Sequence, residues 1–317
     1  MEKNSILQNQ SVFIKKPKSS LLKRIMQHKF LYLIGLPGIL NFLIFKYWPM
    51  YGILIAFKDY NPFIGVFGSD WVGLDHFIKL FTDPDFYMIF RNTLTISLLS
   101  LLLFPAPIIM ALLLNEVKSS LYKRSIQTIV YIPHFLSWVV VVSITYLFLS
   151  EEQGLVNKII SQLGGQTHPF MFDPKSFYPL ILGQSIWKNV GWGSIVYLAA
   201  IAGVDVSLYE AAVMDGAGKL RQIWSITIPS IMPTIVVLFI LNLGHILDTN
   251  FEQIWLMQNP LVNEIAEVFE TYVYKTGIKG GEYSYTTAVG MFKSVIGLIL
   301  VIISNKIVTK KGYEGIF

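Results

Sequence analysis

Six runs of mostly apolar residues dominate this chain, and each is close to the ~20 residues that a helix needs to cross a bilayer. They fall near residues 30–49, 93–114, 129–149, 179–201, 230–247 and 286–305. Backbone groups at membrane depth must be satisfied within the structure, so only helices and closed barrels can span. These runs do not alternate as barrel strands do, so they are read as helices. Composition agrees. The chain is 53% hydrophobic and only 14% charged, whereas a soluble domain carries roughly 25% charged residues. The predicted fold is an all-α membrane protein with about six transmembrane helices. One membrane domain covers 30–308, after a basic segment at 1–29 and before a short tail at 309–317.

The chain has no cysteine, which excludes disulfides and thiolate metal sites. Its net charge is +5, but the basic residues sit at the ends of apolar runs and form no soluble face. That pattern reads as membrane topology and not as nucleic-acid binding. With a cytoplasmic N-terminus, the inner segments hold Lys3, Lys15, Lys16, Lys18, Lys23, Arg24, Lys29, Lys118, Lys123, Arg124, Lys219, Arg221, Lys306, Lys310 and Lys311. The outer segments hold fewer, so both termini are placed in the cytoplasm. The first run is too long for a signal-peptide core and lacks a small-x-small cleavage site, so it is a retained span. Within the acidic last outer connection, a helix is expected over residues 263–274 with Asn263 as its N-cap.

One inner connection departs from a short loop: SLYEAAVMDGAGKLRQIWSITIPSIMPT, residues 207–234. Ser207 and Glu210 have capping-box spacing, which predicts a helix start there. Ala211 and Ala212 favour helix and present a thin surface. Gly216 and Gly218 break it, with Gly216 suited to a left-handed cap. A second amphipathic stretch, 220–228, leads to Pro229 and Pro233 at the entry to the fifth span. The result is a short helix, a glycine elbow and a second helix running into the membrane. Physics alone leaves two readings open: a device that passes a partner's movement to the fifth span, or an ordinary interfacial helix–turn–helix.

This stretch resembles the EAA motif of binding-protein-dependent ABC importer permeases, commonly EAA-x-x-DGA followed by an aromatic, isoleucine and LP. The chain has Glu210, Ala211, Ala212, Asp215, Gly216, Ala217 and Gly218, then Trp224, Ile226 and Pro229. It departs at Ile223 and Ile228, where the family has an aromatic and leucine. MYGILIAFKDYNP, SDWVGLDHF, NFEQIWLMQNPLV, ETYVYKTG and YSYTTAVGMFKSVIGLIL are similar to the carbohydrate-uptake branch that serves oligosaccharide-binding lipoproteins. The resemblance implies a type I permease fold with a cytoplasmic coupling helix (segment 207–229) in a bacterial cytoplasmic membrane. It implies a second homologous permease, a cytoplasmic ABC ATPase dimer that binds ATP and Mg, an extracellular solute-binding lipoprotein and an oligosaccharide cargo. Permeases for other solutes share the motif, and only the resemblance favours carbohydrate.

The chain has no phosphate-binding loop: around Gly218–Lys219, Val213 stands where the first glycine belongs and Leu220 follows the lysine. The histidines are scattered and form no metal motif. No covalent chemistry is expected, so the chain is read as a transport subunit and not an enzyme, with no cofactor of its own. An ion-coupled secondary transporter would need midplane carboxylates, which the centres of these runs lack; a simple anchor or sensor would need no elbow. Polar residues inside the spans are the remaining candidates. Trp187, Asn189, Trp192, Asn242 and His245 offer aromatic faces and hydrogen-bonding groups suited to sugar. Interhelical bonding or snorkelling is the competing reading for each. Lys293 is expected to pair with a neighbouring helix. Pro105, Pro107 and Pro133 are expected to kink the second and third spans.

Overall fold

The computed structural model describes Met26, residues 28–310, Gly312 and Gly315. Most of the basic segment 1–29 and most of the tail lie outside the described residues. The chain divides into two compact units, residues 1–53 and 54–317. In the first, α1 (Lys29–Phe42) continues through a π turn (Leu43–Tyr47). A 3-10 segment (Trp48–Phe57) carries the helical run on, so Lys29–Phe57 is long and apolar enough to cross a membrane. Pro49 does not end it, because it lies in the first turn of that segment, where a missing N–H costs nothing.

The second unit opens with an element absent from the all-helical expectation. Strands β1 (Lys58–Asp59) and β2 (Asp70–Trp71) pair antiparallel around the short helix α2 (Gly65–Gly68), and α3 (Asp75–Thr82) follows. The second span, Phe86–Glu116, is α4 (Phe86–Leu102) and α5 (Pro105–Glu116). They are interrupted at Leu103–Phe104, where Pro105 opens the new helix at a position that needs no N–H. The third expected span is not one helix. It is α6 (Ser120–Tyr131), a 3-10 turn (Ile132–Phe135) and α7 (Trp138–Leu149), bent by 103°. Pro133 lies in the turn, and Ser137 caps α7 by accepting from the Val140 N–H at 3.4 Å.

After α8 (Leu155–Gln162) comes α9 (Pro174–Ala202), then α10 (Val206–Met214) at 73° to it. Next, α11 (Lys219–Gln222), a π turn (Ile223–Thr227) and α12 (Ile228–Gly244) form one continuous run of 26 residues. The amphipathic stretch 220–228 is therefore the first part of the fifth span, not a separate helix. Then follow α13 (Phe251–Met257), α14 (Asn263–Ala266), α15 (Phe269–Val273) and α16 (Tyr283–Lys310). The helix expected over 263–274 is thus broken at Glu267–Val268, and Val262, not Asn263, occupies the cap. The break has a physical cause: the carbonyls of Glu264 and Glu267 both accept from the Asn92 amide, at 2.8 and 3.0 Å.

Small residues let the long helices approach closely, as membrane packing favours. A Cβ on Gly191 of α9 would lie 2.0 Å from the Val130 carbonyl of α6. Lys188, one turn earlier, fastens the same junction. Its buried ammonium donates to the His134 carbonyl at 2.7 Å and to the Leu136 carbonyl, and it lies 5.5 Å from the centre of the Trp138 ring. A cation thus meets the free carbonyls where the third span breaks.

At the end of the bundle far from α10, the connections form a packed cap. The Phe269 N–H donates to Thr93 at 3.1 Å, and Lys293 of α16 pairs with Asp248 at 3.0 Å and with Glu270. Lys293 therefore pairs with neighbouring elements, as expected from sequence. Asp83 accepts from the hydroxyls of Tyr272 and Tyr285 at 2.6 and 2.8 Å, tying the start of α4 to α15 and α16. Burial would raise the Asp83 carboxyl. The Tyr272 hydroxyl, the Asp85 N–H, the Tyr285 hydroxyl and the Lys79 charge outweigh that and hold it below its ordinary value of 3.8. A carboxyl depressed in the folded state stabilises it above the unfolded value and loses that contribution as pH falls through the depressed one. Hydrogen-exchange protection at residues 269–285, measured against the intrinsic rate at each pH, is therefore expected to fall below about pH 4. Asp83→Asn should exchange fast already at pH 7 and lose that acid dependence; identical profiles would remove Asp83 from the account.

Candidate functional site

Two features concentrate polar and unpartnered groups: an elbow at one end of the bundle and a pair of adjoining cavities between the spans. The elbow begins at Asp205, not at Ser207. Asp205 is the N-cap, accepting from the Ser207 N–H at 2.9 Å, so Ser207 lies inside the first turn and the expected capping box does not form. A carboxylate is the stronger cap here, because it also meets the positive end of the helix dipole. Hydrogen bonds from the Ser207 N–H and hydroxyl hold the Asp205 carboxyl below its ordinary range.

Glu210, Ala211 and Ala212 lie on α10, Asp215 closes it, and Gly216 follows with φ +74°. The Gly216 N–H donates to the Val213 carbonyl at 3.0 Å and the Ala217 N–H to the Ala212 carbonyl at 2.8 Å. These are the paired bonds of a Schellman ending, which needs the left-handed residue that glycine supplies. The left-handed cap expected at Gly216 is present. Gly218 then caps α11, and the Gln222 amide donates to the Ala217 carbonyl at 2.9 Å, closing the elbow.

α10 buries none of its residues, and Met214 is 87% exposed. Yet it is not loose. The Tyr209 hydroxyl meets Thr227 Oγ1 at 2.9 Å, inside the π turn that begins the fifth span. Lys219 reaches Glu116 at the end of α5, at 3.3 Å. Tyr209 thus ties α10 to the base of the fifth span, and Lys219 ties α11 to the end of α5.

The cavities lie further along the spans. One, of about 300 Å³, is bordered by Ser97, Ser100, Trp138, Ser185, Asn189, Asn242, His245, Asp248 and Gln253 among others. The second, of about 410 Å³, runs past Phe104, Pro107, Gly193, Tyr197 and Leu238. The two share Ser100, Ser185, Asn189 and Asn242, which form a polar collar between them. Ser185, Asn189 and Gly193 are spaced i, i+4, i+8 on α9 and so lie on one face.

The structure brings three of the five intramembrane candidates together: Asn189 and Asn242 on the collar, and His245 at one rim. Asn242, His245 and Asp248 do not share a helical face, because α12 ends at Gly244 and His245 is its C-cap. His245 Nδ1 and Asp248 are in contact across that turn at 3.0 Å. Burial would raise the Asp248 carboxyl, but hydrogen bonds from His245 and Lys293 and their charges hold it low. Trp187 and Trp192 border neither cavity. Trp192 stacks on His134 with ring centres 4.6 Å apart and nearly parallel planes, at the break in the third span.

Sequence reasoning missed Ser97, Ser100, Ser185 and Gln253, which are too common in spans to stand out singly. It also missed the amide relay behind them. The Ser185 hydroxyl donates to Gln253 at 3.2 Å, Gln253 to Gln184 at 2.9 Å, and Gln184 to Thr145 at 2.8 Å, joining α13, α9 and α7.

Residues 103–311 match the family described as binding-protein-dependent transport system inner membrane component. This chain belongs to that family. It is 52% identical over 307 residues, 96% of each chain, to the polygalacturonan/rhamnogalacturonan transport system permease protein YteP of Bacillus subtilis (strain 168). It is 53% identical over 299 residues, 94% of each chain, to protein LplB of the same organism. A chain in the crystal structure of a bacterial alginate ABC transporter, in complex with an alginate pentasaccharide-bound periplasmic protein, superposes with a TM-score of 0.85. That chain is 42% identical, and the match covers 94% of this chain and 100% of that one. The protein is thus a membrane-embedded ABC importer permease of type I fold, a transport component and not an enzyme.

Proposed function

We propose that this permease passes an oligosaccharide, delivered by an extracellular solute-binding lipoprotein, through a pore shared with a second homologous permease. A cytoplasmic ABC ATPase dimer, which binds ATP and Mg, drives the cycle by moving α10. Both termini and the elbow lie on the cytoplasmic side, and the cap built from α13 to α15 faces outward. The observation that carries this reading is the elbow: an exposed helix, closed by a left-handed glycine and bonded directly to the base of the fifth span. The oligosaccharide cargo draws support from the relatives that carry saccharide names. The collar of Asn189 and Asn242, with His245 at the rim, supplies the amide and imidazole partners that sugar hydroxyls need.

The test is to purify the complex through this chain, identify the subunits that accompany it, and reconstitute it in proteoliposomes with the binding protein. ATP-dependent oligosaccharide uptake that requires an ATPase and a second permease is expected. A chain that purifies alone, or transports on an ion gradient, contradicts the proposal.

A further inference from the structure

The smaller cavity bears on the charge of the cargo, and it differs from what the polygalacturonan and alginate names of two relatives suggest. Ser97 is only 6% exposed and borders this cavity, yet its hydroxyl has no hydrogen-bond partner among the described residues. A buried hydroxyl left unpaired costs about 1–3 kcal/mol, so a partner from outside the chain is the natural means of satisfying it. The side chains of Ser100, Asn189 and Asn242 likewise have no hydrogen-bond partner among the described residues. Trp138 contributes an apolar wall. Unpaired hydroxyl and amide groups beside an indole are the groups that the hydroxyls and C–H face of a sugar ring call for. At about 300 Å³ the space lies at the small end of ligand cavities.

Among the described residues of this chain, the lysines and arginine nearest that space are engaged elsewhere. On α9, the Lys188 ammonium is engaged by the carbonyls of His134 and Leu136. On α16, Lys293 is engaged by Asp248 and Glu270. On α4, Arg91 is held by Asn92 and the Glu264 carbonyl. The titratable groups at the rim are His245 and Asp248, in contact with each other. A carboxylate carried into such a site loses water without gaining a counter-charge, and it meets the Asp248 carboxylate.

We infer that this cavity is a saccharide subsite for one uncharged, hydroxyl-rich sugar unit, with Ser97 as a direct hydrogen-bonding residue. The inference rests on the oligosaccharide-importer reading, and it runs against both the polygalacturonan of the Bacillus subtilis relative and the acidic polysaccharide of the alginate importer with which this chain superposes.

The test uses the whole complex in proteoliposomes with its binding protein. Neutral hexose oligosaccharides and uronate oligosaccharides of equal length are offered, and wild type is compared with Ser97→Ala and Asp248→Asn. Neutral chains are expected to enter faster. Ser97→Ala should raise their half-saturating concentration about tenfold, as loss of one hydrogen bond implies. Asp248→Asn should narrow the gap between the two classes. Preferential uptake of uronate chains, or unchanged saturation in Ser97→Ala, overturns the inference and leaves the importer reading standing. If neither class enters with ATP, the oligosaccharide reading itself falls, and the inference with it.

Discussion

Replacing Gly216 with valine is expected to abolish most transport while the chain still inserts and assembles. Gly216 holds φ +74°, and a Cβ there would meet no atom within 4 Å. The penalty is therefore backbone strain alone, about 1–2 kcal/mol for an L-residue in the left-handed region and larger for a β-branched one. The strain falls on the paired bonds from Gly216 to Val213 and from Ala217 to Ala212. Releasing them re-angles α10 against the base of the fifth span, where Tyr209 meets Thr227. Uptake should fall at least tenfold, with ATP hydrolysis no longer stimulated by cargo. Asparagine tolerates the left-handed region best after glycine, so Gly216→Asn should keep most activity and Gly216→Ala should be intermediate. Uptake at the wild-type rate in Gly216→Val would remove the elbow from the mechanism.

Lys188→Met is expected to be the most destabilising single change. The ammonium satisfies the His134 and Leu136 carbonyls at the 103° break, in a place that is almost fully buried. Methionine fills the space but donates nothing, so two part-buried carbonyls lose their partner, at up to about 1–3 kcal/mol each. The solubilised complex should unfold at a clearly lower temperature, with the loss centred on α6 and α7. Asn189→Ala, next in sequence but facing the cavities, should change saturation by cargo and leave thermal stability near wild type. If Lys188→Met melts with wild type, the lysine is not the brace described.

The contrast between these neighbours shows what the sequence made legible. Apolar length alone placed the spans, and the elbow was readable because a left-handed turn after a helix calls for glycine. The helix start was misplaced because Ser207 and Glu210 imitate a capping box, whereas the deciding bond comes from Asp205. Pro133 announced a distortion of the third span. Lys188, which bonds to the carbonyls at that break, is contributed from a helix distant in sequence. Around residues 187–192 the polar and aromatic types looked alike, and only helical phase separates them. Asn189 shares the face of Ser185 and Gly193, whereas Trp192 turns toward His134. Ser97 carried no signal of its own, because an unpartnered hydroxyl is visible only once its surroundings are placed.

The central claim is that α10 is the point where an ATPase acts on this chain. The chain contains no cysteine, so Met214→Cys, on a side chain 87% exposed, introduces a single reactive thiol. In the reconstituted complex, a short thiol-cleavable cross-linker with an amine-reactive arm should join this residue to the ATPase subunit. Uptake should stop on cross-linking and return on reduction. If the linker attaches only to lipid or to the second permease, or if uptake continues with the link in place, α10 is not the coupling element.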